Sequence, residues 1–264
     1  MKKTKGLLLA GGKGTRLLPA TKIINKHMVP ILNKPMIMYP LNTLKSLGIT
    51  DIMIVSGGGH IGGIAEFLGD GSDYGVKLTY RVQKEAGGIA QALTLAKDFV
   101  GDDSVAVILG DNIFGVDNLM QRVGTMEFIN EGNDEAHIAF GLPDGDIATI
   151  VVRKMNGASR FGVLIGSNFI EGDPDHYSIV EKPKDIDEGL VVTGLYIYPP
   201  EVFGIAENLT PSARGELEIT DVNNFFLSTN SCRIAHLQEQ DFWSDAGTRD
   251  SLKEVIDWAY LKES

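Results

Sequence analysis

Apolar runs at Leu7 to Ala10, Ile52 to Ser56, Leu78 to Val82 and Val105 to Leu109 alternate in the first half of the chain with longer amphipathic stretches, Met36 to Leu47, Ile61 to Leu68 and Ile89 to Phe99. Read as strands without polar alternation, separated by helix-length segments, they predict parallel strands with helices on both faces of a doubly wound sheet. Ligands of such sheets sit beyond the carboxyl ends of the strands. After Gly141 the pattern shortens to β-like pieces, Ala148 to Val152, Phe161 to Ile165, Tyr177 to Val180 and Val191 to Tyr198, divided by Gly, Pro and Asp clusters. No Pro/Ser-rich linker, low-complexity tract or solenoid repeat separates the halves, so the second half predicts a mixed-sheet extension of the first. Leu252, Val255, Ile256, Ala259 and Tyr260 recur at helical spacing and predict a closing helix over Thr248 to Leu261.

With 264 residues, 43% of them hydrophobic and 22% charged, the composition is that of a globular protein, and a chain this long hides roughly three quarters of its unfolded surface. The formal net charge of -11 argues against a basic surface that tracks a nucleic-acid backbone, so any phosphate ligand has to be held by local groups. Cys232 is the only cysteine, which excludes an intrachain disulfide and fits a reducing compartment, with the cytoplasm as the expected location. The basic start Met1-Lys2-Lys3-Thr4-Lys5 leads into an apolar run that stops at Gly11-Gly12, too short for a signal peptide. No run reaches the ~20 apolar residues of a membrane helix, so no membrane partner is expected.

The candidate chemistry falls at predicted strand ends. Ala10-Gly11-Gly12-Lys13-Gly14-Thr15-Arg16 follows the first strand, and its three glycines let the backbone approach a ligand and present N–H groups to phosphates, with Arg16 as a cationic fork. A tight strand-to-helix connection is the plainer reading of a glycine pair. Neither the Walker pattern nor Gly-x-Gly-x-x-Gly is matched. Lys26 precedes an apolar stretch, where a lysine is ordinarily a solvated side chain. Asp111 ends a buried run in Leu109-Gly110-Asp111-Asn112, and the plainer role for an aspartate there is a helix N-cap. Glu181 and Lys182, in Ile179-Val180-Glu181-Lys182-Pro183, read alone as a surface ion pair. The lone Cys232 and five scattered histidines lack zinc-ligand spacing.

Taken together, Leu9 to Arg16 with Lys26 ahead of Pro30 resembles the signature of the sugar-1-phosphate nucleotidyltransferases. The likeness runs on through Val82-Gln83-Lys84-Glu85-Ala86-Gly87-Gly88, which looks like the base-reading segment of the glucose-1-phosphate thymidylyltransferases, to Arg160-Phe161-Gly162-Val163, Val191-Val192-Thr193-Gly194, Pro211 to Asp221 and Trp243-Ser244-Asp245-Ala246-Gly247-Thr248. The resemblance implies a Rossmann-like, mainly parallel mixed sheet of the nucleotidyltransferase fold with a small β-rich sugar-binding extension. It implies one domain over 1–264, with a nucleotide-binding half at about 1–141 and a sugar-phosphate-binding half at about 142–264. It makes Arg16 and Lys26 the catalytic cations, Gly11, Gly12, Gly14, Thr15, Gln83 and Gly88 the nucleotide-binding residues, and Gly162, Glu181, Lys182 and Val192 the sugar-phosphate-binding residues. Asp111 and Asp245 are then magnesium ligands, and the implied partners are dTTP and a sugar-1-phosphate, with homo-oligomerisation left open.

Two residues depart from that pattern: His27 stands where longer thymidylyltransferases often carry glutamine, and Phe161 where many have tyrosine. The resemblance also leads to a short form, without the extra C-terminal helical segment that accompanies the tetramer and the distant regulatory site of longer members. The stretch Asp144 to Ser159 is longer than expected and receives no role. The implied reaction is transfer of a nucleotidyl group from dTTP to glucose-1-phosphate with release of pyrophosphate. The alternatives are a UTP-preferring or other sugar-1-phosphate nucleotidyltransferase, or a non-catalytic nucleotide-sugar-binding regulator of the same fold. A regulator is expected to lose one or more of Arg16, Lys26, Lys182, Asp111 and Asp245, and all five are present.

Overall fold

The structure is a computed structural model that describes residues 3–130, 136–143, 146–166 and 177–263. In chain order the first half comprises β1 (Thr4–Leu9), β2 (Pro30–Ile31), β3 (Lys34–Pro35), α1 (Met38–Ser46), β4 (Asp51–Gly57), α2 (Ile61–Leu68), β5 (Lys77–Gln83), α3 (Ile89–Thr94), α4 (Lys97–Val100), β6 (Ser104–Leu109), β7 (Asn112–Gly115) and α5 (Leu119–Val123). The second half comprises β8 (Thr125–Asn130), β9 (Ala136–Gly141), β10 (Ala148–Asn156), β11 (Gly162–Ile165), β12 (Ser178–Glu181), β13 (Glu188–Tyr198), α6 (Val202–Glu207), α7 (Ile219–Ser228), β14 (Cys232–His236), β15 (Phe242–Asp245) and α8 (Arg249–Glu263).

The main sheet runs in the order β12-β11-β13-β6-β1-β4-β5, with β10 branching off between β13 and β14. β1 lies between β6 and β4 and is parallel to both, in the register Leu7↔Val107 and Leu7↔Met53. Because side chains alternate along a strand, the apolar runs feed two cores. Leu8, Ile54 and Ile108 pack towards Leu41 and Leu44 of α1 and Ile64 of α2. Leu7, Leu9, Met53, Val55 and Val107 pack on the other face with Leu93 of α3, Phe203 of α6 and Phe226 of α7. The doubly wound sheet expected from the sequence is therefore present. The long β13 joins antiparallel to β6, in the register Tyr196↔Val107, and carries the sheet on into β11 and β10. No helix among the described residues is long and apolar enough to cross a membrane.

The structure refines the sequence reading at three places. β5 is an edge strand whose Thr79 and Arg81 alternate with Leu78, Tyr80 and Val82, and it is buried only in part. The helix expected over 89–99 breaks at Leu95–Ala96 into α3 and α4. Within the stretch 144–159, Asp144 lies outside the described residues, while 148–156 is β10 and 158–160 a 3-10 turn that delivers Arg160.

A smaller ribbon decides the site. β15 pairs antiparallel with β7, setting Asp245 opposite Asn112 and next in line to Asp111. α8 presses on this ribbon through Trp258, whose ring stacks on Phe242 at 4.5 Å and 4°, and Gly115 leaves no room for a Cβ beneath the same ring. Trp258→Ala is expected to cost about 3 kcal/mol in urea unfolding, as for other large-to-small changes at packed aromatic positions.

Candidate active site

The site begins where β1 ends. Ala10 is pinned to β4, its N–H donating to Val55 O at 2.8 Å and its carbonyl accepting from Ser56 Oγ at 2.7 Å. The chain then turns through Gly12 and Gly14 at φ of 98° and 62°, a left-handed geometry that glycine adopts without steric cost. A Cβ at Gly14 would stand 2.8 Å from Thr21 Cγ2 and 3.1 Å from Lys26 Cβ, so this glycine lets the following segment fold back and return Lys26 to the strand ends.

There Lys26 Nζ donates to Asp111 Oδ2 at 2.6 Å, both side chains being about seven-eighths buried, at 12% and 15% exposed. Lys26 is thus not the solvated lysine of the plainer reading. Nor does Asp111 cap a helix, because the strand β7 follows it. Burial pushes the Asp111 carboxyl up, but the charge of Lys26 and hydrogen bonds from Lys26 and from Asn112 Nδ2 (3.1 Å) hold it well below the usual carboxylate range. His27 is buried under the turn, where a Cβ on Gly110 would lie 2.7 Å from its ring. Burial, then the charge on Lys26, lowers its imidazole to about 3, leaving it neutral at pH 7. Asn25 Oδ1 accepts the His27 backbone N–H at 2.7 Å and lies 2.9 Å from Nδ1, which places the ring proton on Nδ1.

Asp245 arrives from β15, and the next residue, Ala246, donates its N–H to Asp111 O at 2.8 Å. Its carboxylate accepts from Arg160 Nη2 at 3.2 and 3.4 Å. Burial pushes the Asp245 carboxyl up, Arg160 opposes the shift and the neighbouring Asp111 charge adds to it, and the net result is about 6. A Cβ on Gly247 would sit 3.2 Å from Arg16 Nη2 and 3.3 Å from Asp111 Oδ2, so Arg16 and the Asp111 carboxylate converge on this glycine. Among the described residues no group of three or more His, Cys, Asp or Glu side chains forms a metal cage. Two mutually repelling carboxylates facing an open cleft suit a cation that takes its other ligands from phosphate and water, as magnesium does.

Two clefts adjoin at this point. The first, about 260 Å³, has Leu9, Val55 and Leu109 as its apolar floor and Gly11, Gly12, Lys26, Gln83, Gly88 and Asp111 around it. The second, about 160 Å³, is bordered by Gly162, Glu181, Lys182, Val192, Arg160 and Asp245. Ile89 and Leu109 line both. Of the residues singled out from the sequence, Gly14, Thr15 and Arg16 line neither cleft. Gly14 shapes the turn, Thr15 is exposed, and Arg16 reaches over the carboxylates from outside. In the first cleft, Gln83 Nε2 donates to Gln91 Oε1 at 2.8 Å and to Gly88 O at 3.3 Å, which leaves Oε1 as its free group. In the second, Glu181 accepts from Lys182 Nζ at 2.8 Å, Thr220 Oγ1 at 2.7 Å and Arg214 Nη2 at 3.4 Å. The surface pair of the plainer reading therefore exists, but it forms part of the wall of a cleft.

The family model for nucleotidyl transferases matches residues 5–259. The chain belongs to this family. Glucose-1-phosphate thymidylyltransferase of Neisseria meningitidis serogroup A is 38% identical over 95% of this chain and 81% of its own. That of Mycolicibacterium smegmatis is 37% identical over 96% and 81%. A crystal structure of a Bacillus anthracis protein named as a glucose-1-phosphate thymidylyltransferase, in complex with a sucrose, superposes with a TM-score of 0.78 at 40% identity, over 97% of this chain and 95% of that one. A UDP-glucose pyrophosphorylase complexed with UDP-glucose shares the fold at a TM-score of 0.75 and 24% identity, each chain covered in full.

The structure also adds residues to this nucleotidyltransferase site that sequence reasoning left without a role. Asn112 Oδ1 accepts from Gly194 N at 2.9 Å and Trp243 Nε1 at 2.8 Å, tying β7 to β13 and β15. Arg160 grips Asp245, and its guanidinium lies 5.3 Å from the ring of Phe161, which in turn packs on Trp243 at 5.4 Å, so the ring at 161 serves packing without needing a hydroxyl. Arg214 bridges Glu181 and Glu218. Both arginines lay within strings quoted from the sequence, but an arginine in such a string carries no signal of its partner.

The two carboxylates are expected to respond oppositely to neutralisation. Asp111→Asn leaves the buried Lys26 unpaired and is expected to lower stability at pH 7 by about 3 kcal/mol. Asp245 is the reverse case, because its folded-state value near 6 lies above the unfolded value. It stabilises the fold when protonated, fully below about pH 4, and that contribution fades as the pH rises through 6. Asp245→Asn is therefore expected to melt higher than wild type in metal-free buffer at pH 7, by about 1–3 kcal/mol, with the gain disappearing near pH 4. Thermal melts of both variants across pH 4–8 check this.

Proposed function

We propose that this nucleotidyltransferase transfers the thymidylyl group of dTTP to glucose-1-phosphate, forming dTDP-glucose and pyrophosphate. The observation that carries the reading is a pair of clefts that share Ile89 and Leu109, one lined by Asp111 with Lys26 and the other by Asp245 with Arg160 and Lys182. A phosphate oxygen of the sugar-1-phosphate attacks the α-phosphorus of the nucleotide. The bond from that phosphorus to the α,β-bridging oxygen breaks, and its electron pair leaves with pyrophosphate. The attacking phosphate is already ionised at neutral pH, so no general base or covalent enzyme intermediate is needed. The task is to hold two anions in line and offset their repulsion.

The N–H groups of the Gly11 to Gly14 turn and Arg16 would receive the outer phosphates, and Lys26 the α-phosphate. Lys182, about half exposed, would hold the sugar phosphate, with Arg214 as a further cation nearby. Glu181, with the backbone at Gly162 and Val192, would face the sugar hydroxyls. Magnesium bound by Asp111 and Asp245 would orient the phosphate oxygens and neutralise developing charge. The free Oε1 of Gln83 suits the N3–H of thymine or uracil, and cytosine carries a lone pair there instead. Both Nε2 hydrogens of Gln83 are already engaged, so its amide offers a base an acceptor alone.

Pyrophosphate release measured across dTTP, UTP, CTP and purine nucleotides with several sugar-1-phosphates tests this. The dTTP and glucose-1-phosphate pair is expected to be fastest, ahead of UTP by about tenfold, since the two bases differ by one methyl worth about 1 kcal/mol. Folded protein that binds nucleotide yet turns over no pair would instead be a binding protein. Gln83→Glu is expected to lower kcat/KM for dTTP by at least about tenfold, because its carboxylate faces the acceptors Gln91 Oε1 and Gly88 O.

A further inference from the structure

We propose that Gln91 is a positioning residue that sets the base preference of the nucleotide cleft by locking the amide of Gln83. The inference rests on the reading of Gln83 as the base contact. Glutamine oxygen and nitrogen are nearly isosteric, so an unrestrained Gln83 could present either group to a base. Here the choice is fixed by a chain of bonds anchored on the backbone. Gly87 N donates to Gln91 at 3.1 Å, and a backbone N–H can only donate, so the Gln91 atom facing it is Oε1. The same Oε1 lies 2.8 Å from the Gln83 amide, which must then offer Nε2. The second Nε2 hydrogen goes to the carbonyl of Gly88 at 3.3 Å. Turning the Gln83 amide over would set its oxygen against two acceptors at once. Gln83 Oε1 is left on the cleft side, 3.6 Å from where a Cβ on Gly11 would stand.

The surroundings keep this chain of bonds tight. A Cβ on Gly87 would lie 2.5 Å from the Gln91 amide carbon and nitrogen, so Gly87 is the residue that lets Gln91 rise against the turn. Gly88 adopts φ 99° with no room for a Cβ beside the Leu217 carbonyl. Leu217 N in turn donates to Gly87 O at 2.8 Å. The 84–88 turn is thus braced by α3 from below and by the 211–218 segment from the side. A cleft wall that can only accept at the N3 position admits thymine and uracil and repels the cytosine lone pair. Releasing Gln83 lets the amide rotate to donate to cytosine.

The test compares dTTP, UTP and CTP, by steady-state kinetics with glucose-1-phosphate and by calorimetric binding, in wild type, Gln91→Leu, Gln91→Glu and Gly87→Ala. Gln91→Leu removes the anchor and is expected to lower the dTTP to CTP ratio of kcat/KM by about tenfold, mainly through KM because the base lies away from the reacting phosphorus. Gly87→Ala displaces the Gln91 amide and is expected to move the ratio the same way. Gln91→Glu retains an acceptor for both donors and is expected to keep the wild-type ratio. A wild-type ratio in Gln91→Leu and Gly87→Ala would overturn the proposal. So would equal losses for every nucleotide in Gln91→Leu, which would mark Gln91 as a packing residue. A wild type that binds CTP as well as dTTP would show that Gln83 does not read the base, so that earlier reading fails first and separately.

Discussion

Parallel pairing of β1 with β6 is the constraint on which the site depends. In that register Leu9 lies beside Leu109, so the glycine turn that leaves β1 and the Gly110-Asp111 turn that leaves β6 emerge side by side. The glycine turn carries cations and the Gly110-Asp111 turn an anion. The segment that follows the glycine turn returns Lys26 to within 2.6 Å of Asp111, where little water screens the contact. Removing two charges from water is costly, and only close pairing with further hydrogen bonds offsets the cost. His27 and Gly110 pack behind the pair, and Asn112 ties it to β13 and β15. The β7–β15 ribbon then adds Asp245, which the main sheet alone would not bring within reach.

The site is thereby held in a state that its own charges disfavour. Asp111 is satisfied by Lys26, whereas Asp245 is largely buried beside a like charge that the partly exposed Arg160, with Arg16 and Lys26, only partly offsets. Such an arrangement lowers stability where binding needs it, and sites of this kind trade stability for function. A cation shared by the two carboxylates would relieve their repulsion and free Lys26 and Arg160 to face phosphate oxygens. The same layout gives a strongly acidic chain a local positive potential, gathered on Arg16, Lys26, Arg160, Lys182 and Arg214 around two small clefts.

The parts legible in the sequence are those whose signal is local. Four apolar runs marked β1, β4, β5 and β6, and the glycines at 12 and 14 marked a backbone that turns left-handed. β5 was visible as a strand, but its edge position shows only in the polar residues Thr79 and Arg81, which read equally well as noise in a buried run. β7 and β15 were not legible, because four-residue strands carrying Asn112, Ser244 and Asp245 have no pattern of their own and exist through their partner and the press of Trp258. α6 and α7 are likewise held by packing on the sheet. The roles of Arg160, Arg214 and Gln91 depend on partners 85, 33 and 8 residues away, and no single-residue signal records them. Resemblance placed Asp111 and Asp245 in one site, and the geometry of β7 against β15 supplies the physical reason.

The proposed reaction is direct displacement between two bound anions, with no enzyme group bonded to phosphorus on the way. The stereochemical course at the α-phosphorus tests it without reference to any single residue. With a nucleotide made chiral there by one sulfur and glucose-1-phosphate as acceptor, a single in-line step requires inversion in the nucleotide-sugar product. Retention, which two successive displacements through a covalent enzyme intermediate produce, would rule out the single displacement.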